Sequence, residues 1–490
     1  MIAITSSCRP SVRVALGGAA AALLGLARPA AGQPARDARV DRIFAEWDSP
    51  SSPGCAVGAV QDGRFVYQRG YGMANLDYDI PNGPEMVYYV GSDSKQFTAA
   101  SIALLSLQGQ LSLDDDVRRH VPELPDYGTP ITIRHLVHHT SGLRDIYELM
   151  GLRGDRLEDV FPDSAALALI VRQRGLSFRP GAEYSYSNSG YFLLAQIVKR
   201  VTGKSLREYA DEQIFRPLGM TRTHFHDDPG HVMKRRAMSY GPDGRGGYRI
   251  TYLQNFDKIG AGGLYSTLDD LRKWDENFYT HRVGGAALQR LIHTRGVLNS
   301  GDTLPYAFGN NVTRYRGLPT VEHGGALMGY KAYILRFPTQ RFSVLATCNL
   351  GTINPGPLAH AVAEVYLGAK MGPRERPITQ AAAPPAGAGR TDSVGDGAAA
   401  GPSGADVAAF VGDYYSDDLD VTYRVVRSGD GRLTLNAPAR AAVPLVPTAP
   451  NAFRNGPTTL RFERAAAVGA PAAAVIVRVS RIGEMRFVRR

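Results

Sequence analysis

A chain of 490 residues with 44% hydrophobic and 21% charged residues is too long for one compact core and too apolar to be disordered, which favours one large domain plus a smaller one. Its 54 glycines and 31 prolines imply many turns and at least one linker. The formal charge of +10 is a mild surplus without any Lys/Arg run carrying interleaved aromatics, so it reads as a solvated surface and no nucleic-acid partner is expected.

The first residues, M-I-A-I-T-S-S-C-R-P-S-V-R, carry Arg9 and Arg13 without an acid, and an apolar run from Val14 to Leu26 and small residues through Gly32 follow. This is the pattern of a secretory signal peptide over 1–32, cleaved near Gln33, and it predicts a periplasmic or secreted protein. Gly17, Gly18 and Gly25 interrupt the run, which is shorter than the roughly 20 residues of a spanning helix. No stable membrane span is expected once it is removed.

From Cys55 the chain reads C-A-V-G-A-V, then Q-D-G-R, then F-V-Y-Q-R-G-Y-G, which is strand, Asp-Gly hairpin turn and strand. Between Ser92 and Leu107, Phe97, Ala100, Leu104 and Leu107 recur at helical spacing, with Gly109 where a C-cap belongs. Far downstream, G-Y-K-A-Y-I-L-R-F, the turn P-T-Q-R and F-S-V-L-A-T-C form a second hairpin, followed by a helix with Leu358, Val362, Val365 and Tyr366 on one face. Strands at both ends and helices between predict one α+β unit over 38–370 whose two ends share an antiparallel sheet. Residues 371–404, rich in Ala, Gly and Pro, read as a flexible linker. Alternating strand-like runs over 405–490 then predict a small antiparallel β-barrel-like domain.

Cys8 falls in the leader, and Cys55 and Cys348 lie in strand-like runs. One disulfide and two buried free thiols are both open, because spacing alone cannot bring two Cα atoms within bonding range. Nothing pairs them with further Cys or His in a zinc motif.

Three short stretches carry the chemistry. In G-S-D-S-K (Gly91–Lys95) a serine and a lysine three apart share one face of a helix start, where free N–H groups and a lysine of depressed pKa can activate the hydroxyl. By itself the same pattern is also a helix cap beside a solvated lysine. In Y-S-Y-S-N, Tyr186 and Asn188 flank one residue, so an extended loop would aim a phenol and an amide into one cleft. In V-E-H-G-G-A, Gly324 and Gly325 allow close approach to a strand backbone, His323 offers a donor or cation, and the Ala326 N–H can serve an oxyanion. His135, His138 and His139 lie close in sequence, but metal ligation by them is not expected.

In this order Ser92-x-x-Lys95, Tyr186-x-Asn188 and His323-Gly324-Gly325 resemble the penicillin-recognising serine hydrolases, specifically their class C β-lactamase-like branch. The segments I-T-I-R-H-L-V-H-H-T-S-G-L, P-L-G-M-T-R-T and A-G-G-L-Y-S-T-L-D-D-L are similar to family segments in the same sequence order. The resemblance covers about residues 40–368. It implies a β-lactamase/transpeptidase-like antiparallel sheet with a helical subdomain, an acyl-enzyme on Ser92, and acid/base work shared by Lys95 and Tyr186. Asn188 would position groups, the N–H groups of Ser92 and Ala326 would form the oxyanion hole, and neither metal nor organic cofactor would be needed. His323-Gly324 departs from the Lys-Thr-Gly of true β-lactamases and lacks its hydroxyl, which resembles esterase and D-aminopeptidase relatives. The expected substrate is a small ester, an amide or a D-amino-acid peptide, including peptidoglycan-derived ones. A β-lactamase or D-alanyl-D-alanine carboxypeptidase, and a non-catalytic cell-wall sensor, are the alternatives.

Overall fold

C-A-V-G-A-V is apolar at every position, as a strand covered on both faces requires. In the computed structural model it is strand β1 (Cys55–Gln61), and it turns through Asp62 and Gly63, both at positive φ, into β2 (Arg64–Tyr71). Strands β3 (Asn311–Tyr315), β4 (Leu318–Leu327), β5 (Tyr330–Phe337) and β6 (Phe342–Cys348) complete a six-stranded antiparallel sheet, ordered β3-β4-β5-β6-β1-β2. The first and last strands of the large domain therefore pair, β1 with β6. The structure describes residues 33–251, 259–374, 404–439, 441–464 and 470–490. The signal peptide expected over 1–32 and nearly all of the expected linker lie outside these residues.

The helices that position the site are α1 (Gln33–Phe44), α2 (Lys95–Leu107), α3 (Ile146–Arg153), α4 (Asn188–Thr202), α5 (Leu268–Thr280) and α6 (Pro355–Leu367). Alternate residues of β1 divide between two cores, as the strand's period of two dictates. Cys55, Val57 and Ala59 pack with Val40 and Phe44 of α1 and Ala359 and Val362 of α6. Ala56 and Val60 join the opposite core with Phe97 and Ala100 of α2 and Leu193 and Leu194 of α4. Helix α2 is buried continuously from Lys95 to Leu105. A helix so enclosed holds its first turn, and therefore Ser92, in a fixed place.

Cys55 and Cys348 sit directly opposite each other in the β1–β6 ladder, with Cα atoms 3.9 Å apart, and are joined by a disulfide. The register of the closing strand pair decides what their spacing left open.

Beyond residue 404 lie β7 (Gly412–Ser416), β8 (Val421–Arg427), β9 (Leu433–Asn436), β10 (Val443–Pro444), β11 (Val446–Ala449), β12 (Ala452–Asn455), β13 (Thr458–Arg464), β14 (Ala472–Val479) and β15 (Gly483–Arg489). They form one nine-stranded sheet in the order β10-β9-β8-β7-β15-β14-β13-β12-β11. Its two edge strands are separated in sequence by Leu445 alone, so the sheet curls into a nearly closed barrel around Phe453, Phe462 and Phe487. The barrel docks on the helical part of the large domain. Arg144 pairs with Asp418 at 2.6 Å, Tyr423 donates to the Leu152 carbonyl at 2.7 Å, and Ser177 donates to that of Ile482 at 2.8 Å.

Candidate active site

Gly91–Ser94 forms a single 3-10 turn that runs into α2, with Gly91 in the left-handed region at φ +56°. Ser92 is thus in the turn before the helix and is not its cap. Ser94 ties the turn down, donating to the Gly91 carbonyl at 2.5 Å and accepting from the Leu264 N–H at 3.2 Å. Ser92 remains on the wall of the cleft.

Lys95 is fully buried. Its Nζ lies 3.3 Å from Ser92 Oγ, 2.9 Å from Asn188 Oδ1 and 2.6 Å from the Ala261 carbonyl oxygen. The rings of Tyr186 and Tyr191 flank it at 4.7 and 5.4 Å. Burial pushes its amine down to about 7, with Asp145 pulling it back up and Arg481 reinforcing the fall. A neutral amine has two N–H bonds and one lone pair. In the charged form all three oxygens accept from Nζ; in the neutral form the two carbonyl oxygens accept its two N–H bonds and the lone pair is available to the Ser92 hydroxyl.

Asn188 does not stand on an extended loop, as expected; it is the first residue of α4, behind the cap Ser187, whose hydroxyl accepts from the Gly190 N–H at 3.3 Å. Both its backbone N–H and its side-chain NH2 donate to Asp145 Oδ2 at 2.8 Å. That fixes the amide with its oxygen towards Lys95. The Tyr186 ring packs on His139 at 4.2 Å, and His139 Nδ1 accepts the Ser187 N–H at 3.1 Å. The Tyr186 hydroxyl makes no well-formed hydrogen bond, although Ser92 is near enough to oppose the strong upward push that burial gives its pKa.

His323, Gly324, Gly325 and Ala326 lie on β4 and line the same cleft, a space of about 1640 Å³. A Cβ at Gly325 would fall 1.8 Å from the Val90 carbonyl oxygen and 2.9 Å from the Ser92 nitrogen, and one at Gly91 would fall 2.5 Å from the Ala326 nitrogen. Strand and nucleophile turn therefore touch backbone to backbone, which only glycine permits. His323 is buried between Tyr306, whose hydroxyl is 3.3 Å from Nε2, and Asp93, whose carboxylate is 3.6 Å from Nδ1. The structure so brings together all eight residues singled out in the sequence.

It also adds residues that the sequence reading passed over. Asp93 stood in plain sight inside S-D-S-K, and Asp145 carried a cap signature ahead of α3, accepting from the Tyr147 and Glu148 N–H groups. Ala261 contributes a backbone carbonyl, which no side-chain pattern reveals. Arg481 comes from the turn after β14 and lines the cleft from the barrel side. His135, His138 and His139 have separate partners: His135 Nδ1 accepts the Thr132 N–H, His138 bonds the carbonyls of Arg134 and Thr294, and His139 Nδ1 accepts the Ser187 N–H.

The fold defines the class, the β-lactamase/transpeptidase type. Residues 37–367 match the family model described as Beta-lactamase, and the chain belongs to that family. Among curated proteins it is 34% identical over 305 residues to a D-aminopeptidase of Gluconobacter oxydans (strain 621H), covering 61% of this chain and 56% of that one. It is 30% identical over 298 residues to a D-aminopeptidase of Brucella anthropi, with the same two coverages of 61% and 56%. The match thus spans a little over half the length of these relatives. Among solved structures, an octameric penicillin-binding protein homologue from Pyrococcus abyssi matches 93% of this chain and 99% of its own with a TM-score of 0.62 at 24% identity. A D-amino acid amidase from Ochrobactrum anthropi SV3 matches 69% of this chain and 99% of its own with a TM-score of 0.58 at 21% identity. At these identities the likeness is one of fold.

Proposed function

We propose that the protein is an exported hydrolase that cleaves amide, ester or D-amino-acid peptide bonds through an acyl-enzyme on Ser92, with small D-amino-acid amides and short peptides as the preferred substrates. The observation that carries this reading is the Lys95 amine, buried with its Nζ 3.3 Å from Ser92 Oγ, 2.9 Å from Asn188 Oδ1 and 2.6 Å from the Ala261 carbonyl oxygen, so that its neutral form can give its hydrogens to the last two and its lone pair to Ser92. Lys95 accepts the Ser92 proton as Oγ attacks the substrate carbonyl carbon. The resulting oxyanion lies against the N–H groups of Ser92 and Ala326, on the two segments whose backbones touch at Gly91 and Gly325. The tetrahedral adduct collapses as the leaving amine or alkoxide takes a proton relayed from Lys95 through Tyr186. Water then attacks the ester carbonyl carbon and gives a proton to the same pair, which returns it to Ser92 Oγ as the C–Oγ bond breaks and the acid is released. The D-amino-acid preference is supported by the D-aminopeptidases similar to this chain. His323 supplies no hydroxyl to grip a penicillin carboxylate, which favours these substrates over β-lactams. The Cys55–Cys348 bridge supports export, since disulfides persist in oxidising compartments.

The test is intact mass after incubation with a fluorophosphonate and, separately, with penicillin, together with turnover of D-alanine p-nitroanilide. Wild type is expected to gain one fluorophosphonate adduct and to hydrolyse the anilide; Ser92→Ala does neither, and Lys95→Ala loses about 10²–10⁴-fold in rate. Labelling that survives Ser92→Ala would overturn the assignment, and rapid penicillin turnover would move the substrate class to β-lactams.

A further inference from the structure

Arg481 lies 333 residues beyond Glu148 in the chain and directly against it in space. At the turn between β14 and β15, its backbone N–H and its Nε each donate to the Glu148 carboxylate at 2.9 Å. Its guanidinium stands 3.6 Å from Asp145 Oδ2, and its carbonyl accepts the Asp145 N–H at 3.2 Å. Asp145 is fully buried and accepts both N–H donors of Asn188, which holds Lys95. An unbroken polar chain therefore runs from the barrel through Arg481, Asp145, Asn188 and Lys95 to Ser92, crossing from one domain into the other.

We propose that Arg481 and Asp145 are positioning residues of the hydrolase site, so that the C-terminal barrel supplies the outer end of the chain that holds Lys95 against Ser92. This rests on the reading of Lys95 as the base for Ser92. A buried carboxylate with Lys95 as its sole nearby cation would keep the lysine charged and unable to accept a proton. Arg481 shares that negative charge and, being a like charge, disfavours a second cation. Among the described residues, the titratable groups facing Lys95 are Asp93 on the adjoining turn, Asp145, His139, Tyr186 and Tyr191 on the elements packed against it, and Arg481 from the barrel. Asp145 and Asp93 favour the charged amine; Arg481 and burial oppose it. The barrel thus acts on the chemistry through Asp145 and the charge it places near Lys95.

The experiment is the pH dependence of fluorophosphonate labelling at Ser92 in the full chain, read by intact mass, with thermal unfolding of each variant alongside. In wild type the labelling rate should rise as Lys95 deprotonates. Arg481→Met should move that rise to higher pH by roughly half a unit or more, and Arg481→Lys should restore it. Asp145→Asn, which keeps the shape and removes the anion, should move it to lower pH. Opposite shifts from two residues that make no hydrogen bond to Ser92 are not the signature of a loosened fold. An unmoved rise in folded Arg481→Met or in Asp145→Asn overturns the proposal, and if Arg481→Met does not fold, Asp145→Asn decides alone. Absence of labelling in wild type, or labelling that survives Ser92→Ala, overturns the reading of the site itself.

Discussion

Asp93 carries more physical tension than its place between two serines suggests. It has no exposed surface, neither of its oxygens has a hydrogen bond, and the nearest ring nitrogen, His323 Nδ1, is at 3.6 Å, too far for one. Burial pushes its carboxyl up to about 6, with His323 and Lys95 pulling it back. A folded-state value above the ordinary 3.8 means that the folded protein holds a proton the unfolded chain has already released. The stability this contributes is complete below about pH 4 and is lost as pH rises through about 6. Asp93→Asn, which cannot ionise, should therefore gain on wild type by up to about 3 kcal/mol between pH 4 and 7. Paired thermal melts across that range check it; a difference that does not change with pH would show that Asp93 does not titrate there.

At the scale of elements, the site is a junction between a helix start and a strand. Helix α2 is buried from Lys95 to Leu105, and β4 lies so close to the turn before it that Gly325 has no room for a methyl group. Gly324, one residue earlier, faces the Tyr333 ring instead, at 3.0 Å from a built Cβ. A ring can shift by a few tenths of an ångström, whereas the Val90 carbonyl and the Ser92 nitrogen cannot move without moving the nucleophile. Gly325→Ala is expected to lower the labelling rate of Ser92 by about 10²-fold or more, the scale of losing an oxyanion donor. Gly324→Ala should stay within about tenfold of wild type. Equal effects in the two variants would mean that the close approach is not what the strand contributes.

For the whole molecule, the first and last strands of the large domain close the sheet and are stitched at Cys55–Cys348, with a sequence separation of 293 residues. Cross-linking so long a loop restricts the unfolded chain strongly, and the bridge should contribute about 2–5 kcal/mol. Reductant is expected to lower the melting temperature of wild type and to leave a Cys55→Ser/Cys348→Ser variant, already less stable, unmoved. Equal melting temperatures for the two proteins without reductant would show that the bridge does not stabilise the fold. The barrel is bound to the helical part of the same domain through Arg144, Ser177 and Leu152. Its turn at Arg481 therefore has a defined position relative to Ser92.

The sequence by itself determined the elements and pointed to eight residues that the structure brings together. Ser92 with Lys95 and His323 with two glycines are local patterns, because helix and strand geometry fix which side chains share a face over three or four residues; Tyr186 and Asn188 stood out as a pair, although Asn188 opens a helix instead of standing on an extended loop. The two terminal hairpins and the barrel-like strands were legible for the same reason, through a period of two and Asp-Gly or Pro-bearing turns. Tertiary structure alone decided the rest. Whether Cys55 met Cys348 depended on the register of two strands at opposite ends of the domain, and Asn188 proved to open a helix only once its donors found Asp145. Ala261 enters through a backbone carbonyl and Arg481 through a turn of another domain, so neither leaves a local pattern. Contacts between residues hundreds of positions apart are set by how cores pack and chains close, and that information is not carried by neighbouring residues.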